Sequence, residues 1–352
     1  MRLKKIIKFF TNFIIILIIT LSLDLLINLI LSEKFKKSIG TSRNYSLKSE
    51  RFHHETASNI NVYEYWGKKK YKIKTNKYSM RSQEDEVFKI DELKKNIGFI
   101  GDSFVYGSGI EYKKHFISLV KNNNDNYNYF NMGYVSYSPS IYFKKLKFFI
   151  EEKKLNFDKI YIFIDHSDIQ DEGIFYREDY KGNIVRKWLS DKEVKKKNFK
   201  YLFKNYLKQN SFLFKFSENF NTPKISKKSN NCLSSSDQNY DKYIDKERFG
   251  YSYNLDMQKK EWVVNGINKT QTYLDKINNL SKKYNFEINI VTYPSALEVI
   301  EKILPKESQH FIFLKNWSIK NNVNLINTNN DFLINNGLDG YLINFIKCDV
   351  HW

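Results

Sequence analysis

The sequence predicts a three-layer α/β/α domain with a parallel sheet of five strands, preceded by one N-terminal transmembrane helix. Three observations lead to this prediction. A long apolar run stands near the N-terminus, short apolar runs alternate with amphipathic segments from residue 97 onwards, and glycines or polar residues follow most of those short runs. Strands that alternate with helices along a chain favour a parallel sheet that is covered on both faces.

The long apolar run covers residues 9–31 and reads FFTNFIIILIITLSLDLLINLIL. At about 1.5 Å per residue, a helix of this length spans a hydrocarbon core of roughly 30 Å. Asp24 is the one charge inside the run, and we interpret it as a side chain that reaches toward the headgroups. The run is longer than the apolar core of a cleavable signal peptide. The sequence therefore predicts an uncleaved anchor at residues 1–32, with the lipid bilayer as its partner.

Lysine and arginine flank both ends of this run, at positions 2, 4, 5 and 8 before it and at positions 34, 36 and 37 after it. The free amino group adds positive charge to the front flank. The positive-inside rule then predicts a single-pass protein of the cell membrane with a cytoplasmic N-terminus. The domain is expected on the extracytoplasmic side.

Residues 33–94 are predicted to lead from the anchor into the domain. Residues 33–60 are polar and irregular, which is typical of a stalk. Alternating stretches at 62–66 and 71–74 predict a small hairpin.

The domain itself is predicted to cover residues 95–352. Its strands are predicted at the apolar runs 97–101, 129–133, 159–164, 288–291 and 323–326. Helices are predicted at about 113–121, after Ser138 as N-cap with Pro139 as the first helical residue, and at 262–284, where apolar or small residues recur with a helical period.

The alternation of strands and helices stops between residues 171 and 261, where a segment rich in Lys, Asn, Ser and aromatic residues intervenes. We predict an insertion at about 172–261, partly helical around 199–220, that lies over the sheet edge where ligands bind. Residues 222–240 are predicted to form a mobile loop within it.

The formal net charge of +19 raises the question of a nucleic-acid partner. The lysines are spread through every segment beside abundant Asn and Ile, and no basic stripe interleaved with aromatic residues stands out. We therefore interpret the charge as a solvated basic surface and predict no nucleic-acid partner. A basic surface that docks on nucleic acid or anionic lipid is the weaker alternative.

Residues suited to nucleophilic acyl transfer follow the apolar runs. In an open parallel sheet, ligands bind outside the carboxyl ends of the strands. Gly-Asp-Ser stands at 101–103 after the first run, Gly133 after the second, Asp-His-Ser-Asp at 165–168 after the third, and Asp-Val-His at 349–351 near the C-terminus. This chemistry needs three groups: a hydroxyl, an imidazole that takes its proton, and a carboxylate that orients the imidazole.

This arrangement resembles the SGNH/GDSL hydrolase family. In that family a Gly-Asp-Ser block carries the nucleophile, a glycine after the second strand gives an oxyanion N–H, and a late Asp-x-x-His or Asp-x-His block supplies the base. The resemblance covers about 95–352 without the insertion, and residues 75–81, which read TNKYSMR, look like the lead-in segment of membrane-anchored bacterial members. It implies a flavodoxin-like arrangement of the five strands.

The resemblance implies that Ser103 is the nucleophile, His351 the general base and Asp349 its orienting carboxylate. The N–H groups of Ser103 and Gly133 would face the developing oxyanion. Members of the family usually continue beyond the last block through a closing helix, so we expect His351 to lie close to a frayed end.

The third block departs from the family pattern of Gly-x-Asn-Asp. Here Ser167 takes the place of the asparagine and becomes the predicted oxyanion donor, and Asp168 is a predicted substrate-binding residue. A missing oxyanion donor costs about 10²–10³ in rate. His166 is the alternative base, and Asp102 is interpreted as a structural residue of the loop. No metal site and no cofactor are predicted.

The leading functional prediction is a serine esterase or O-acyltransferase that acts through an acyl-enzyme on O-acyl groups of a cell-envelope polysaccharide. Its partner would be an acylated glycan or another ester substrate. The alternative is a catalytically weak or inactive carbohydrate-binding protein of the same fold that takes part in envelope glycan assembly.

Overall fold

The computed structural model describes residues 2–30, 45–49, 51–66, 69–82, 89–187, 207, 211, 246–335, 337–346 and 349–351. Its strands are β1 Ser46–Ser49, β2 His53–Thr56, β3 Asn61–Trp66, β4 Lys69–Lys74, β5 Lys95–Ile100, β6 Tyr127–Asn131, β7 Lys159–Phe163, β8 Tyr176–Glu178, β9 Ile184–Arg186, β10 Glu287–Thr292 and β11 Asn324–Asn327. Its α-helices are α1 Arg2–Ile30, α2 Ser103–Tyr106, α3 Phe116–Asn123, α4 Pro139–Glu151, α5 His166–Gln170, α6 Lys246–Phe249, α7 Leu255–Gln258, α8 Glu261–Tyr284, α9 Ala296–Glu301, α10 Gln309–Asn321, α11 Asn329–Leu333 and α12 Gly337–Asn344.

The five predicted apolar runs form one parallel sheet in the order β6-β5-β7-β10-β11. This order confirms the predicted α/β class and the flavodoxin-like arrangement, in which the chain reverses its direction across the sheet after the second strand. The reversal places β5 between β6 and β7, with Gly98 opposite both Phe130 and Ile160. The loops after these three strands therefore meet at the carboxyl edge of the sheet.

Side chains alternate between two apolar layers along each central strand. One layer contains Ile100, Ile160, Ile162, Ile288 and Ile290, together with buried side chains of α4, α8 and α10. The other layer contains Ile97, Phe99, Phe163 and Val291, together with buried side chains of α2 and α3. The central strands are therefore buried on both faces, which explains their continuous apolar runs in the sequence.

The helix after β5 begins later than the sequence predicts. The sequence predicts a helix at about 113–121, whereas α3 is Phe116–Asn123 and a short 3₁₀ turn, Tyr112–Lys114, precedes it. The reason is that His115 acts as N-cap: its ring nitrogen Nδ1 accepts the N–H of Ile117 at 3.3 Å. N-caps are usually Ser, Thr, Asp, Asn or Gly, so the sequence does not indicate an imidazole in this role.

Part of the segment predicted as a stalk forms strands and packs on the main apolar core. Strands β1 and β2 pair antiparallel, and Tyr45 and Phe52 beside them lie in the main apolar core. Tyr45 and Phe52 are buried, which the polar composition of residues 33–60 does not indicate. Strands β3 and β4 then form an antiparallel hairpin where the alternation predicts one.

The insertion is described only at its two ends. Residues 171–175 form one turn of π-helix, and β8 and β9 pair antiparallel directly after it. The helix predicted around 199–220 lies outside the described residues apart from positions 207 and 211, and the loop predicted at 222–240 lies outside them entirely. The predicted domain boundaries stay predictions.

Helix α1 contains almost all of the long apolar run. Its exposed large apolar side chains are Phe13, Ile14, Ile15, Ile16, Ile18, Ile19, Leu23 and Leu26. Polar side chains stand among them at Thr11, Asn12, Thr20, Ser22 and Asp24. Among the helices that the structure describes, none is both long and apolar enough to cross a membrane. The transmembrane helix that the sequence predicts is therefore not supported by the structure.

Candidate active site

Ser103 is the first residue of α2 and comes three residues after the last residue of β5, so it lies at the carboxyl end of a central strand. Asp102 is the N-cap of this short helix, and its Oδ1 accepts the N–H of Phe104 at 3.0 Å. Gly107 ends the helix with a φ of 77°, in the left-handed region that favours glycine. The helix therefore presents the Ser103 hydroxyl where ligands bind in this class of sheet.

His351 comes from the other end of the chain and contacts the same hydroxyl. Its Nε2 lies 2.7 Å from Ser103 Oγ, and its Nδ1 is hydrogen-bonded to Asp349 Oδ1. Because an ionised carboxylate can only accept, these bonds place the imidazole proton on Nδ1 and leave Nε2 as an acceptor for the serine proton. The structure thus brings together the three residues that the sequence assigns to a catalytic triad.

Tyr341 of α12 fixes the segment that carries Asp349 and His351. Its hydroxyl donates to the Asp349 carbonyl at 2.8 Å and accepts the Asp349 N–H at 3.0 Å. The N–H of Ile346 donates to the His351 carbonyl at 2.6 Å. These bonds hold the imidazole at 7% exposure, so His351 does not lie at a frayed end.

The block after β7 is a capping box at the start of α5. Asp165 accepts the N–H of Ser167 at 2.9 Å, and Asp168 accepts the N–H of Asp165 at 3.0 Å. Asp168 is fully buried, and its two oxygens also accept the Tyr142 hydroxyl at 2.9 and 3.0 Å. Burial, together with the nearby Asp102 carboxylate, raises the pKa of Asp168 well above its usual range. These internal hydrogen bonds explain how the polar side chain of Asp168 can be buried. Its role in substrate binding stays a prediction.

The two N–H groups predicted to face an oxyanion differ in their hydrogen bonds. The N–H of Gly133 donates to Asn131 Oδ1 at 3.1 Å, whereas the N–H of Ser103 donates to no acceptor among the described residues. The Ser167 hydroxyl is 5% exposed and has no hydrogen-bond partner in that same part of the chain. All three oxyanion roles stay predictions, and of the three groups only the Gly133 N–H has a hydrogen-bond acceptor among the described residues.

Gly133 also has a packing role beside the nucleophile. A Cβ at this position would lie 2.7 Å from the backbone nitrogen of Tyr106 and 2.7 Å from Cβ of Val105. Asn131 reinforces this contact, because its Nδ2 donates to the Val105 carbonyl at 2.8 Å. Only glycine therefore lets the loop after β6 approach α2 this closely.

Arg81 holds the other end of α2, and sequence reasoning did not single it out. Its side chain is 2% exposed, and its guanidinium donates to the carbonyls of Tyr106, Gly107 and Ile110. The rings of Tyr71, Tyr106 and Tyr112 surround it at 5.5–5.7 Å. Its position at the end of the lead-in segment 75–81 was the only sequence signal, because in a sequence a buried arginine looks like an exposed one.

Arg81→Met is expected to destabilise the protein by about 2–5 kcal/mol, because it leaves up to three buried carbonyls without a donor at about 1–3 kcal/mol each. The measurement is the free energy of unfolding in urea. Arg51→Met is the matched control, because Arg51 pairs with Glu152 on the surface and such pairs contribute about 0–1 kcal/mol. Equal effects of the two substitutions would contradict the role that we assign to Arg81.

His166, the alternative base, is engaged elsewhere. Its Nε2 lies 2.9 Å from Glu298 Oε2, and both side chains are buried. Its ring stacks on His310 with 4.0 Å between centroids. Burial alone would lower the pKa of His166, but the Glu298 carboxylate outweighs burial and raises it. In the structure, His351 therefore contacts the Ser103 hydroxyl, whereas His166 forms a buried ion pair with Glu298.

No group of three or more His, Cys, Asp or Glu side chains is arranged to hold a metal ion within the ranges that the structure describes. The cluster of acids near Ser103 instead has internal partners. Asp171 Oδ1 lies 3.7 Å from the Arg248 guanidinium, and Glu172 accepts the Ser138 hydroxyl at 2.6 Å. The prediction that the protein needs no cofactor stays a prediction.

Comparison with protein-family models gives no match, and comparison with curated proteins gives none either. Among solved structures, the chain is similar to AlinE4, an SGNH-hydrolase family esterase, with 9% sequence identity over 68% of this chain and 77% of that chain and a TM-score of 0.33. A mutant of the same esterase gives the same identity and coverage with a TM-score of 0.34.

A third similar structure is that of a protein from Bacteroides fragilis that is described as an acylhydrolase. It is 9% identical over 70% of this chain and 74% of that chain, with a TM-score of 0.31.

Proposed function

We propose that the protein is a serine esterase or O-acyltransferase of the SGNH type that acts through an acyl-enzyme. One observation carries the proposal: Ser103 Oγ lies 2.7 Å from His351 Nε2, while Asp349 accepts a hydrogen bond from the other ring nitrogen. A hydroxyl, a base and an orienting carboxylate in this mutual geometry are the parts that nucleophilic acyl transfer requires.

In the proposed reaction, Ser103 Oγ attacks the ester carbonyl while His351 Nε2 takes the hydroxyl proton. The Asp349 carboxylate stabilises the imidazolium that forms. The Ser103 N–H faces the oxyanion, and the Ser167 hydroxyl is the second donor that we assign to it. His351 then gives the proton to the leaving alcohol. In the second half of the reaction, His351 takes a proton from water or from a sugar hydroxyl, whose oxygen attacks the acyl-enzyme. The acyl group leaves with this acceptor, and the proton returns to Ser103.

For the substrate, we propose O-acyl groups of a cell-envelope polysaccharide. The support comes from the sequence: the blocks that resemble the SGNH/GDSL family, and an apolar N-terminal run that would keep the site near a membrane. Hydrolysis and transfer share the acyl-enzyme and differ only in whether water or a sugar hydroxyl accepts the acyl group.

Incubation of the full chain with a fluorophosphonate probe tests this proposal, because only a serine activated by a base reacts at an appreciable rate. We expect wild-type protein to be labelled at Ser103. Ser103→Ala and heat-denatured wild-type protein are the controls, and neither should be labelled. A folded wild-type protein that stays unlabelled would contradict the enzyme proposal.

The alternative function, a weak or inactive carbohydrate-binding protein in envelope glycan assembly, is favoured by one observation. The N–H of Gly133 is engaged by Asn131, and a serine replaces the amide donor of the third block, so fewer oxyanion donors are available. This alternative predicts that folded wild-type protein binds envelope glycan without reacting with the probe. It also predicts that Ser103→Ala binds the same glycan equally well.

The location at the cell membrane is likewise a proposal, and it is drawn from the sequence. It rests on the apolar run at 9–31 and on the positive charges that flank it. We expect protease added to intact cells or spheroplasts to digest the domain and to spare the N-terminus. Complete protection of the domain would place it on the cytoplasmic side and contradict the proposed orientation.

A further inference from the structure

The hydroxyl of Ser103 has two neighbours that compete for its single proton. Ser103 Oγ lies 2.7 Å from His351 Nε2 and 3.2 Å from Asp102 Oδ2. Both distances allow a hydrogen bond, but a serine hydroxyl can donate only one. For both contacts to be hydrogen bonds, one of them has the neighbour, and not the serine, as its donor.

The hydrogen bonds around the two neighbours decide which one donates. His351 Nδ1 donates a hydrogen bond to the Asp349 carboxylate, so Nε2 carries no proton and accepts the proton of the Ser103 hydroxyl. Asp102 Oδ1 already accepts the N–H of Phe104 at 3.0 Å, as a carbonyl oxygen does. The contact between Oδ2 and Ser103 Oγ is then favourable only if Oδ2 carries a proton, since two unprotonated oxygens at this distance repel each other.

We propose that Asp102 acts as a neutral carboxylic acid that donates a hydrogen bond to Ser103 Oγ while Ser103 donates its proton to His351. This inference rests on the proposed function of Ser103 and adds a positioning residue to it. When Oγ attacks the acyl carbon, its proton moves to His351 Nε2, the C–O bond forms, and Asp102 keeps its own proton throughout. An ionised Asp102 would instead draw the serine proton away from the base.

The surroundings of Asp102 favour the neutral form. The side chain is 3% exposed, and burial together with the neighbouring Asp165 raises its pKa to about 7. The hydrogen bond from the Phe104 N–H, and then His351 and Arg248, lower the pKa but do not outweigh these effects. The other groups that interact electrostatically with Asp102 are Asp168, Asp171, Tyr142 and Tyr293. Buried acids of this kind serve as hydrogen-bond donors in other enzymes.

Asp102→Asn tests the proposal, because the amide imitates the neutral acid. Its oxygen can accept the Phe104 N–H and its nitrogen can donate to Ser103 Oγ, but it does not titrate. We expect hydrolysis of a model acetyl ester by wild-type protein to fall as the pH rises through the pKa of Asp102. The Asp102→Asn variant should lose this alkaline decline and exceed wild type at pH values well above 7. Asp102→Ala, which donates nothing, should be less active than wild type below about pH 7 and less active than Asp102→Asn at every pH.

A folding measurement tests the protonation of Asp102 independently of activity. Because its pKa is raised above the usual value of 3.8, the contribution of Asp102 to stability is complete below about pH 4 and is lost progressively as the pH rises toward 7. The unfolding equilibrium constant of wild type relative to Asp102→Asn should therefore increase over this range, by up to about a thousandfold.

The two measurements separate the failure of this inference from the failure of the proposed function. An inert wild-type protein with the predicted pH-dependent stability difference would contradict the enzyme proposal and support a neutral Asp102. A stability difference that does not change between pH 4 and 7.5, or an active wild type with a folded but inactive Asp102→Asn, would overturn the inference.

Discussion

Ser103→Ala and His351→Ala are each expected to lower the rate of model acetyl ester hydrolysis by about 10⁴-fold or more. The reason lies in the single chain of contacts from Ser103 through His351 to Asp349. Without the imidazole, the hydroxyl keeps its proton and is a weak nucleophile; without the hydroxyl, the imidazole has nothing to activate. The measurement is kcat/KM for each variant of the full chain.

The double variant is the sharper test of the triad. Residues that act as a unit are not additive, so Ser103→Ala with His351→Ala should be scarcely slower than either single variant. Asp349→Asn should have a milder effect, because it weakens the orientation of the base without removing it. His310→Gln is the matched control, since this histidine is buried with Tyr251 and contacts neither Ser103 nor Asp349. Additive losses in the double variant would mean that the two residues do not act together.

The sequence predicted the parts of the fold whose signals are local. The five apolar runs mark the five strands, because strands buried on both faces are apolar throughout. Ser138 and Pro139 mark the start of α4 through the residue preferences of the first helical turn. Tyr45 and Phe52 were missed as core residues because their neighbours in the sequence are polar, and only the tertiary structure shows what covers them.

In the candidate site, too, residues with a local sequence signal could be predicted and residues defined by long-range contacts could not. Ser103, Asp349 and His351 could be predicted because they stand in blocks that resemble those of the SGNH/GDSL hydrolase family. Arg81 could not, because the carbonyls that it binds lie 25–29 residues further along the chain. The pairing of His166 with Glu298 joins segments that no sequence pattern connects. Long-range polar pairs leave no periodic signal, so the structure is needed to find them.

Glu298→Ala is expected to destabilise the protein by about 3–5 kcal/mol, since it leaves His166 buried without its partner. Glu298 also accepts the N–H of Ser295 at 3.0 Å, and the loss of this cap adds to the effect. The free energy of unfolding in urea measures the change. Glu287→Ala is the matched control, because Glu287 pairs with Lys159 at 3.0 Å on the exposed surface, where a pair contributes about 0–1 kcal/mol.

The effect of Glu298→Ala should also depend on pH in a defined way. Burial would raise the pKa of Glu298, but His166 outweighs it and lowers the pKa to about 2. The contribution of Glu298 is therefore complete above its unfolded value of 4.5 and is lost as the pH falls from 4.5 toward 2. His166 has a raised pKa, so its contribution is complete below 6.5 and is lost as the pH rises through its folded pKa. The difference between wild type and Glu298→Ala should accordingly be largest between about pH 4.5 and 6.5 and shrink on both sides of this range. A difference that shrinks neither below about pH 4.5 nor above about pH 6.5 would show that the pair is not ionised.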